Sequence, residues 1–305
     1  MSLGVLNNIA ATYAANNLSN TQSSLQNVLT QLSSGSRINS GADDAAGLSL
    51  ANGLQANQSA LTQSANNVNL GVGLLQTADG ALSQVSNLLN RAVTLATEAG
   101  NGTLNATQSA AANQEYKSIL AEIDNIGATT TYNGNAVFGA SASIYTSDGT
   151  TTGTSVDTLT IATLGSASVG DANGTIAYAA AVAGTSPATI SYTAGTGAND
   201  NVDLSGTDLT SSVNAQAALA KIGTAITDVA AQRGYLGSQI NTLNAIAGVE
   251  TTQSENLASA ENSIMATDYT KATSDLSKYQ ILTQTGISAL AQANSTQQAV
   301  LKLLQ

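Results

Sequence analysis

The sequence predicts a mainly α-helical chain with a small β-rich insert, built on a long antiparallel coiled-coil-like helical rod whose terminal helices pair into a separate domain. Three observations predict this fold class. The two ends are nearly uncharged and apolar-periodic, two long segments carry a seven-residue apolar repeat, and the middle alternates with period two between Gly-rich turns. Helical faces of this kind are buried against other helices.

Composition excludes several classes of function. The chain has no Cys and no His, so it cannot build a catalytic triad, a thiol nucleophile or a histidine metal cluster, and we predict no enzymatic activity, no metal and no cofactor. A net charge of −11 with eight basic residues argues against nucleic acid. There is no apolar run of about 18 residues, so we predict no membrane span. The N-terminus also lacks the pattern of a cleaved signal peptide.

The first 40 residues predict one helix with a single apolar stripe. They carry one charged side chain, Arg37. The stripe steps by four and three residues through Ala14, Leu18, Thr21, Leu25, Val28 and Leu32. The carboxylates of Asp43 and Asp44 follow; we interpret them as charges at the positive end of the next helix and not as a metal pair.

A second, much longer helix is predicted from about Asp43 to Glu98. Its apolar residues return every seventh position, through Leu54, Leu61, Val68, Leu75, Leu82, Leu89 and Ala96. Such a repeat is typical of a left-handed supercoil. The Gly-rich stretch 100–102 ends the helix, and a further helix is predicted up to Gly127, with Tyr116 and Ile123 on its apolar face.

The middle of the chain, 141–210, has the character of short strands and hairpins. Alternation at 143–145, 159–161 and 189–192 is punctuated by Asp-Gly and Asn-Gly turns. This region contains six aspartates and no basic residue, which predicts a solvent-facing, acidic segment.

The seven-residue phase returns late in the chain. It runs through Ile222, Val229, Leu236, Leu243, Glu250, Leu257 and Ile264, with Ile226, Ile240 and Ala247 expected in the second core position. We expect this helix to pair antiparallel with the early one, and we expect a break or a wet site at Glu250. The last segment repeats the four-and-three stepping through Leu276, Tyr279, Thr283, Gly286, Leu290, Ala293, Gln297, Val300 and Leu304.

Motifs at the two ends resemble those of bacterial flagellin. The N-terminal ones are 32–40 (LSSGSRINS), 43–47 (DDAAG) and 132–134 (YNG). The C-terminal ones are 268–269 (DY), 280–282 (QIL), Gly286, 290–294 (LAQAN) and 300–304 (VLKLL). The resemblance covers roughly 1–138 and 213–305 and is specific, because motifs at both ends agree in order and spacing.

The resemblance implies a plan for the whole chain. The inner-tube helices would be 1–40 and 265–305, and the rod domain would be formed by 41–140 and 211–264. The region 141–210 would be a hairpin region and a small variable outer segment.

The resemblance also implies roles for single residues. Gly35, Arg37 and Gly41 would form a hinge between the inner and outer helices. Arg91, Leu95 and Glu115 match residues that flagellins use for subunit packing and for contact with the flagellin-sensing Toll-like receptor. Inner-tube packing would fall to Leu18, Leu25, Leu32, Leu290, Val300, Leu301 and Leu304.

Three Asn residues, Asn101, Asn105 and Asn173, fit the Asn-X-Ser/Thr glycosylation pattern. O-linked sugar on the Ser/Thr-rich insert is an alternative.

The resemblance finally implies a function, partners and a location. The expected function is that of an exported subunit that polymerises into the flagellar filament for swimming; a hook–filament junction protein and a surface adhesin or immune ligand are the alternatives. The partners would be further copies of the chain, an export chaperone, the type III export apparatus, and the filament cap and hook-junction proteins. The location would be extracellular, reached without a cleaved signal peptide.

Overall fold

The computed structural model describes residues 8–146, 156–169, 175–179, 189–193 and 202–303. The elements in these residues are α1 (Ile9–Ser34), α2 (Ala45–Gly100), α3 (Ala106–Thr129), β1 (Thr131–Tyr132), β2 (Asn135–Ala136), β3 (Ser141–Tyr145), β4 (Val156–Thr160), β5 (Thr175–Ala179), β6 (Thr189–Thr193), α4 (Ser212–Met265) and α5 (Tyr269–Leu303). The chain divides into a terminal unit, Met1–Ala56 with Asn256–Gln305, and a central unit, Asn57–Glu255. The predicted fold class, mainly helical with a small β-rich insert, is confirmed.

The helices begin at polar residues that satisfy their first backbone N–H groups. The side chain of Asn8 accepts from the N–H of Ala11 at 3.0 Å, and the Asp44 carboxylate accepts from the N–H three residues on at 2.9 Å. Asn105 and Gln108 form a reciprocal capping box on α3. The predicted role of Asp44 as a helix-start residue is confirmed.

In the central unit, the predicted seven-residue stripe of α2 is the buried one. Leu61, Val68, Leu75, Leu82 and Leu89 all belong to the core. A second row three residues further on is also buried and consists of small side chains along most of its length: Ser64, Ala78, Val85, Ala92 and Ala99. Small residues in the second row allow neighbouring elements to approach α2 closely.

The antiparallel pairing of α2 and α4 is confirmed by contacts along the central unit. The amide of Gln216 donates to the carbonyl of Gly100 at 3.2 Å, near one end of the pair. In the middle, Arg233 donates to Asp79 through two nitrogens, at 2.7 and 3.3 Å. Towards the other end, a Cβ added to Gly71 would lie 3.4 Å from Leu243.

The expected second core row of α4 is wrong. Ile226, Ile240 and Ala247 are only partly buried at the edge of the core. The fully buried row runs three residues after the first row and contains Gln232 and Gln239, whose amide groups have no hydrogen-bond partner within the described residues. In a seven-residue repeat, the second core row can lie either three or four residues after the first. In α4 the apolar residues lie four residues on, but the buried row lies three residues on.

Of the two outcomes expected at Glu250, the break is wrong, because α4 continues without interruption from Ser212 to Met265, and the wet site remains a prediction. The Glu250 side chain stays in the seam and meets a polar partner there, the hydroxyl of Ser64. A hydrogen bond to one carboxyl oxygen removes part of the cost of burying it.

The helix α3 packs its apolar face inward and anchors the segment that leads into α4. Tyr116 is fully buried, and its hydroxyl lies 2.5 Å from the hydroxyl of Thr207. Lys117 donates to the carbonyl of Thr207 at 2.7 Å. The helix ends at Thr129, two residues beyond the predicted end; Gly127 is needed because the backbone of Leu164 passes so close that a Cβ would lie 2.0 Å from its carbonyl oxygen.

The strands form three antiparallel hairpins, β1–β2, β3–β4 and β5–β6. The three alternating segments predicted from the sequence fall on β3, on β4 and the residue after it, and on β6. The turn of the first hairpin uses Asn133 and Gly134 with φ of 51° and 80°, the left-handed pair that a two-residue turn requires. Ile144 of β3 packs against α2 at Gly71, where a Cβ would lie 1.9 Å from its terminal carbon.

Candidate assembly surfaces

The terminal unit is built on the antiparallel pair α1–α5. The side chain of Asn8 donates to the carbonyl of Ala293 at 3.1 Å, and at the opposite end Thr267 bonds the carbonyl of Gln31 at 3.4 Å. Between these points Leu18 packs against Gly286, where an added Cβ would lie 3.2 Å from the leucine. Glycine at this position therefore allows the two helices to approach closely.

Four of the predicted inner-tube leucines lie on α1 and α5 at partly buried positions. Leu18, Leu25, Leu32 and Leu290 are each half-buried, which separates them from the exposed positions around them. Val300 and Leu301 lie on the last turn of α5. Leu304 lies outside the described residues. Leu18 thus contributes to pairing within one subunit through its contact with Gly286, and the role of all these residues in a tube remains a prediction.

A second set of apolar side chains on the same two helices faces solvent, and sequence reasoning missed it. Each of these side chains is more than two fifths exposed. They are Ile9, Tyr13, Leu29, Tyr269, Ile281, Leu282 and Ile287. The signal was available, because these are the apolar residues that fall off the pairing stripe. This number of large exposed apolar side chains on two paired helices indicates an interaction surface.

This surface is also almost free of charge. The whole of α1 carries no charged side chain, and α5 carries none from 279 to 301. The charged residues of α5 are Lys271, Asp275 and Lys278 towards its start and Lys302 near its end, and Lys271 pairs with Asp275 at 2.9 Å. Copies of the chain can therefore approach through these helices without repulsion between like charges.

Two of the three predicted hinge residues are tied to the end of α4. Gly35 ends α1 with a φ of 70°, and its carbonyl accepts from the N–H of Thr267 at 3.1 Å. The backbone N–H of Arg37 donates to Met265, and its guanidinium donates twice to the carbonyl of Ile264, at 3.2 and 2.8 Å. The positive charge thereby lies at the negative end of α4. A hinge at Gly35 or Arg37 would have to break these bonds.

The third predicted hinge residue, Gly41, has a different setting. It is exposed, and a Cβ added to it would meet no atom within 4 Å. The turn that contains it is held by Asp43, whose carboxylate accepts from the backbone of Asn39 and Ser40 at 3.0 and 2.8 Å. These bonds, the one from Asn39 first, lower the pKa of Asp43. Gly41 itself is therefore not packed against a neighbour, and its role in a hinge remains a prediction.

The three predicted contact residues on the central unit are not equivalent. Arg91 of α2 donates to Glu115 of α3 at 2.7 Å, and the two side chains are 54% and 46% exposed. The hydrogen bond from Arg91 lowers the pKa of Glu115, and the same bond raises the pKa of Arg91. Leu95 is only 4% exposed and belongs to the core. A partner can therefore reach Arg91 and Glu115 but not Leu95.

The three candidate glycosylation sites differ in whether their side chains are free to carry a sugar. Asn101 is exposed just after α2, at the edge of an open groove of about 860 Å³ formed with Leu104 and Leu219. Asn105 is exposed but its side chain caps α3. Asn173 lies outside the described residues.

The described residues contain no group of three acidic, His or Cys side chains that could hold a metal ion. None of the helices, over the residues described, is long and apolar enough to cross a membrane. The surfaces above are accordingly the chain's candidate functional features.

Comparisons with known proteins agree at both ends of the chain. The bacterial flagellin N-terminal helical region matches residues 5–143, and the bacterial flagellin C-terminal helical region matches residues 219–304. Among similar proteins, a flagellin of Halalkalibacterium halodurans is 32% identical, and the match covers 98% of each chain. The flagellar filament 33 kDa core protein of Treponema phagedenis is 29% identical, again over 98% of each chain.

A crystal structure of Bacillus cereus flagellin matches with a TM-score of 0.45 at 29% identity, covering 64% of this chain and 94% of that one. The two family regions together span well over half of the sequence and contain the terminal helices, the seam of the central unit and the motifs that join them. The chain belongs to the bacterial flagellin family.

Proposed function

We propose that this chain is the structural subunit of a bacterial flagellar filament, exported from the cell and polymerised into a helical tube for swimming. The observation that carries the proposal is the helix pair α1–α5, whose helices have few charged residues and several exposed apolar side chains, at the two ends that match the flagellin family. Burying such side chains between copies removes apolar surface from water, which drives association.

The arrangement of the chain supports the domain plan given by the resemblance. The inner-tube helices, 1–40 and 265–305, contain the exposed apolar residues. The aspartates of the acidic region 141–210 would face outward, where like charges do least harm to packing, whereas Ile144 and Thr207 of the same region pack against α2 and α3. The domain boundaries of that plan, near residues 40 and 264, lie close to the ends of helices, because α1 ends at Ser34 and α4 ends at Met265.

The finer parts of the proposal concern partners. An export chaperone would cover the apolar faces of α1 and α5 before assembly, and the type III export apparatus, filament cap and hook-junction proteins would act later. A Toll-like receptor contact on the central unit would use Arg91 and Glu115, because Leu95 is buried. The same pair is available to a neighbouring subunit in the filament.

The relatives are flagellins and a filament core protein, which favours a filament subunit over a hook–filament junction protein or an adhesin. The family is one of structural proteins, in agreement with the predicted absence of enzymatic activity.

Seeded assembly tests the proposal. Purified monomer is incubated with short filament fragments, and growth is followed by electron microscopy and sedimentation. We expect seeds to elongate by addition of monomer. Monomer that stays folded and soluble but never elongates seeds, at concentrations well above those that sustain other flagellins, would refute the proposed function.

A further inference from the structure

The most unusual group in the central unit is a carboxyl in the apolar seam between α2 and α4. Glu250 is 4% exposed and Ser64, which faces it, is 1% exposed. The Ser64 hydroxyl oxygen lies 2.5 Å from Glu250 Oε1 and 3.3 Å from the carbonyl oxygen of Tyr145, at the end of β3. Glu250 Oε2 has no hydrogen-bond partner among the described residues. Three elements therefore meet at one hydroxyl.

The number of protons at this centre decides which bonds can form. With Glu250 ionised, Ser64 supplies a single proton, and two acceptors, the carboxylate and the carbonyl of Tyr145, compete for it. With Glu250 protonated, the carboxyl O–H can donate to the Ser64 oxygen, and the Ser64 O–H is free to donate to Tyr145. One added proton thus satisfies both contacts. Without the bond from Ser64, the Tyr145 carbonyl keeps a long bond from the side-chain amide of Asn67, at 3.4 Å.

The surroundings of Glu250 supply no opposite charge to hold it ionised. The stretch of α2 that faces it carries no ionisable side chain from residue 45 to residue 78. Strand β3 contributes only Tyr145, and the β4 residue paired with Ile144 is Asp157. On α4 itself the next charged residues are Arg233, which is paired with Asp79, and the exposed Glu255.

We propose that Glu250 and Ser64 form a proton-operated latch: the protonated carboxyl lets Ser64 fasten the end of β3 to α2, and the ionised carboxyl withdraws that bond. The latch acts on the hairpin β3–β4, which forms the beginning of the acidic region 141–210. It is a conformational device inside one subunit and does not depend on filament formation.

The direction of the pH dependence follows from the setting. Burial raises the pKa of Glu250 above its ordinary value of 4.5, and the bond from Ser64 offsets this only in part. A group whose pKa is raised by folding adds stability that is fully present below 4.5. That contribution is lost as pH rises through the pKa of the folded state, so the hairpin should loosen towards neutral and alkaline pH.

Hydrogen exchange on the full-length monomer between acidic and alkaline pH tests the latch. The variant Glu250→Gln keeps a donor for Ser64 and cannot ionise. It therefore mimics the protonated carboxyl, with Ser64 bonded to Tyr145, at every pH. We expect amides of β3 and β4 to exchange equally in wild type and variant at low pH. Above the pKa of Glu250 the wild type should exchange about two- to twelvefold faster, the effect of one net hydrogen bond.

Two further variants separate the latch from general effects of charge. Ser64→Ala removes the shared hydroxyl and should give fast exchange at all pH values. Glu255→Gln removes an exposed carboxylate of the same helix and should leave the wild-type pH dependence unchanged.

A carboxyl titration of Glu250 by carbon-detected NMR of the wild type needs no variant to fold. A pKa at or below 4.5 overturns the latch, as does a hairpin whose exchange shows no transition at the pH where Glu250 titrates. Equal amide exchange rates of β3 and β4 in wild type and Glu250→Gln over the whole pH range would also overturn the latch.

Discussion

Replacing Ile281 with Ala should weaken polymerisation while leaving the monomer folded. The side chain of Ile281 lies on α5, off the stripe that pairs with α1, and is 64% exposed. Complete burial of an Ile side chain stabilises by about 1.5–3 kcal/mol, so covering the exposed part in a filament is worth about 1–2 kcal/mol per subunit. Because about 1.4 kcal/mol is a tenfold change in an equilibrium constant, the critical concentration should rise about 5- to 30-fold.

The assay is seeded growth followed by sedimentation, in which the monomer left in the supernatant gives the critical concentration. Circular dichroism and thermal unfolding of the monomer check that the terminal helices are unchanged. The matched control is Gln280→Ala, which shortens the exposed polar neighbour on the same turn and should shift the critical concentration much less. The double variant Ile281→Ala, Leu282→Ala should raise the critical concentration more than either single substitution does.

A critical concentration for Ile281→Ala within experimental error of wild type would refute the reasoning, since it would place this side chain in solvent in the polymer. A loss of helix in the monomer would instead show that Ile281 supports the subunit itself. That outcome would contradict its exposed position on α5.

Three other predictions follow from single contacts. Gly71→Ala should destabilise the central unit by about 1–3 kcal/mol in chemical unfolding, because the added methyl overlaps Ile144; adding Ile144→Val should recover most of the loss. Asn105→Ala should lower the stability of the central unit by about 1 kcal/mol through loss of the α3 cap, which urea unfolding will measure. The pair Arg91–Glu115 should open as pH falls through the lowered pKa of Glu115, which NMR titration of that carboxyl should follow; Arg91→Gln should return this pKa towards its ordinary value.

The seam of the central unit could be predicted from the sequence because its signal is a repeat. Apolar residues seven apart, such as Leu75, Leu82 and Leu89, are buried whichever helix covers them, so periodicity alone identifies them. The companion row could not be identified in the same way. Apolarity favoured Ile240, four residues after Leu236, whereas Gln239 occupies the buried position three residues after it. The choice depends on which side of α4 the neighbouring elements cover, and that is a property of the tertiary fold.

The assembly surface was only half predictable for a related reason. The stripe that pairs α1 with α5, including Leu18 and Leu290, has a regular spacing and was correctly identified as the less exposed one. The side chains left for other molecules, such as Tyr13 and Ile287, have no regular spacing of their own. Leu95 shows a different difficulty. The resemblance assigns it a contact with a partner, but only the structure shows that it is buried in the core.

The pairing of α1 with α5 also limits when the first helix can fold during synthesis of the chain. Asn8 bonds Ala293 and Arg37 bonds Ile264, so nearly every tertiary partner of the first helix is made more than 200 residues after it. A 26-residue uncharged helix rich in Asn, Ser and Thr has little stability alone. The beginning of the chain must therefore wait unpaired during synthesis until its last segment exists. A ribosome that stalls before α5 leaves a product whose first helix lacks its partner, so the synthesis of α5 is the event that allows the terminal unit to fold.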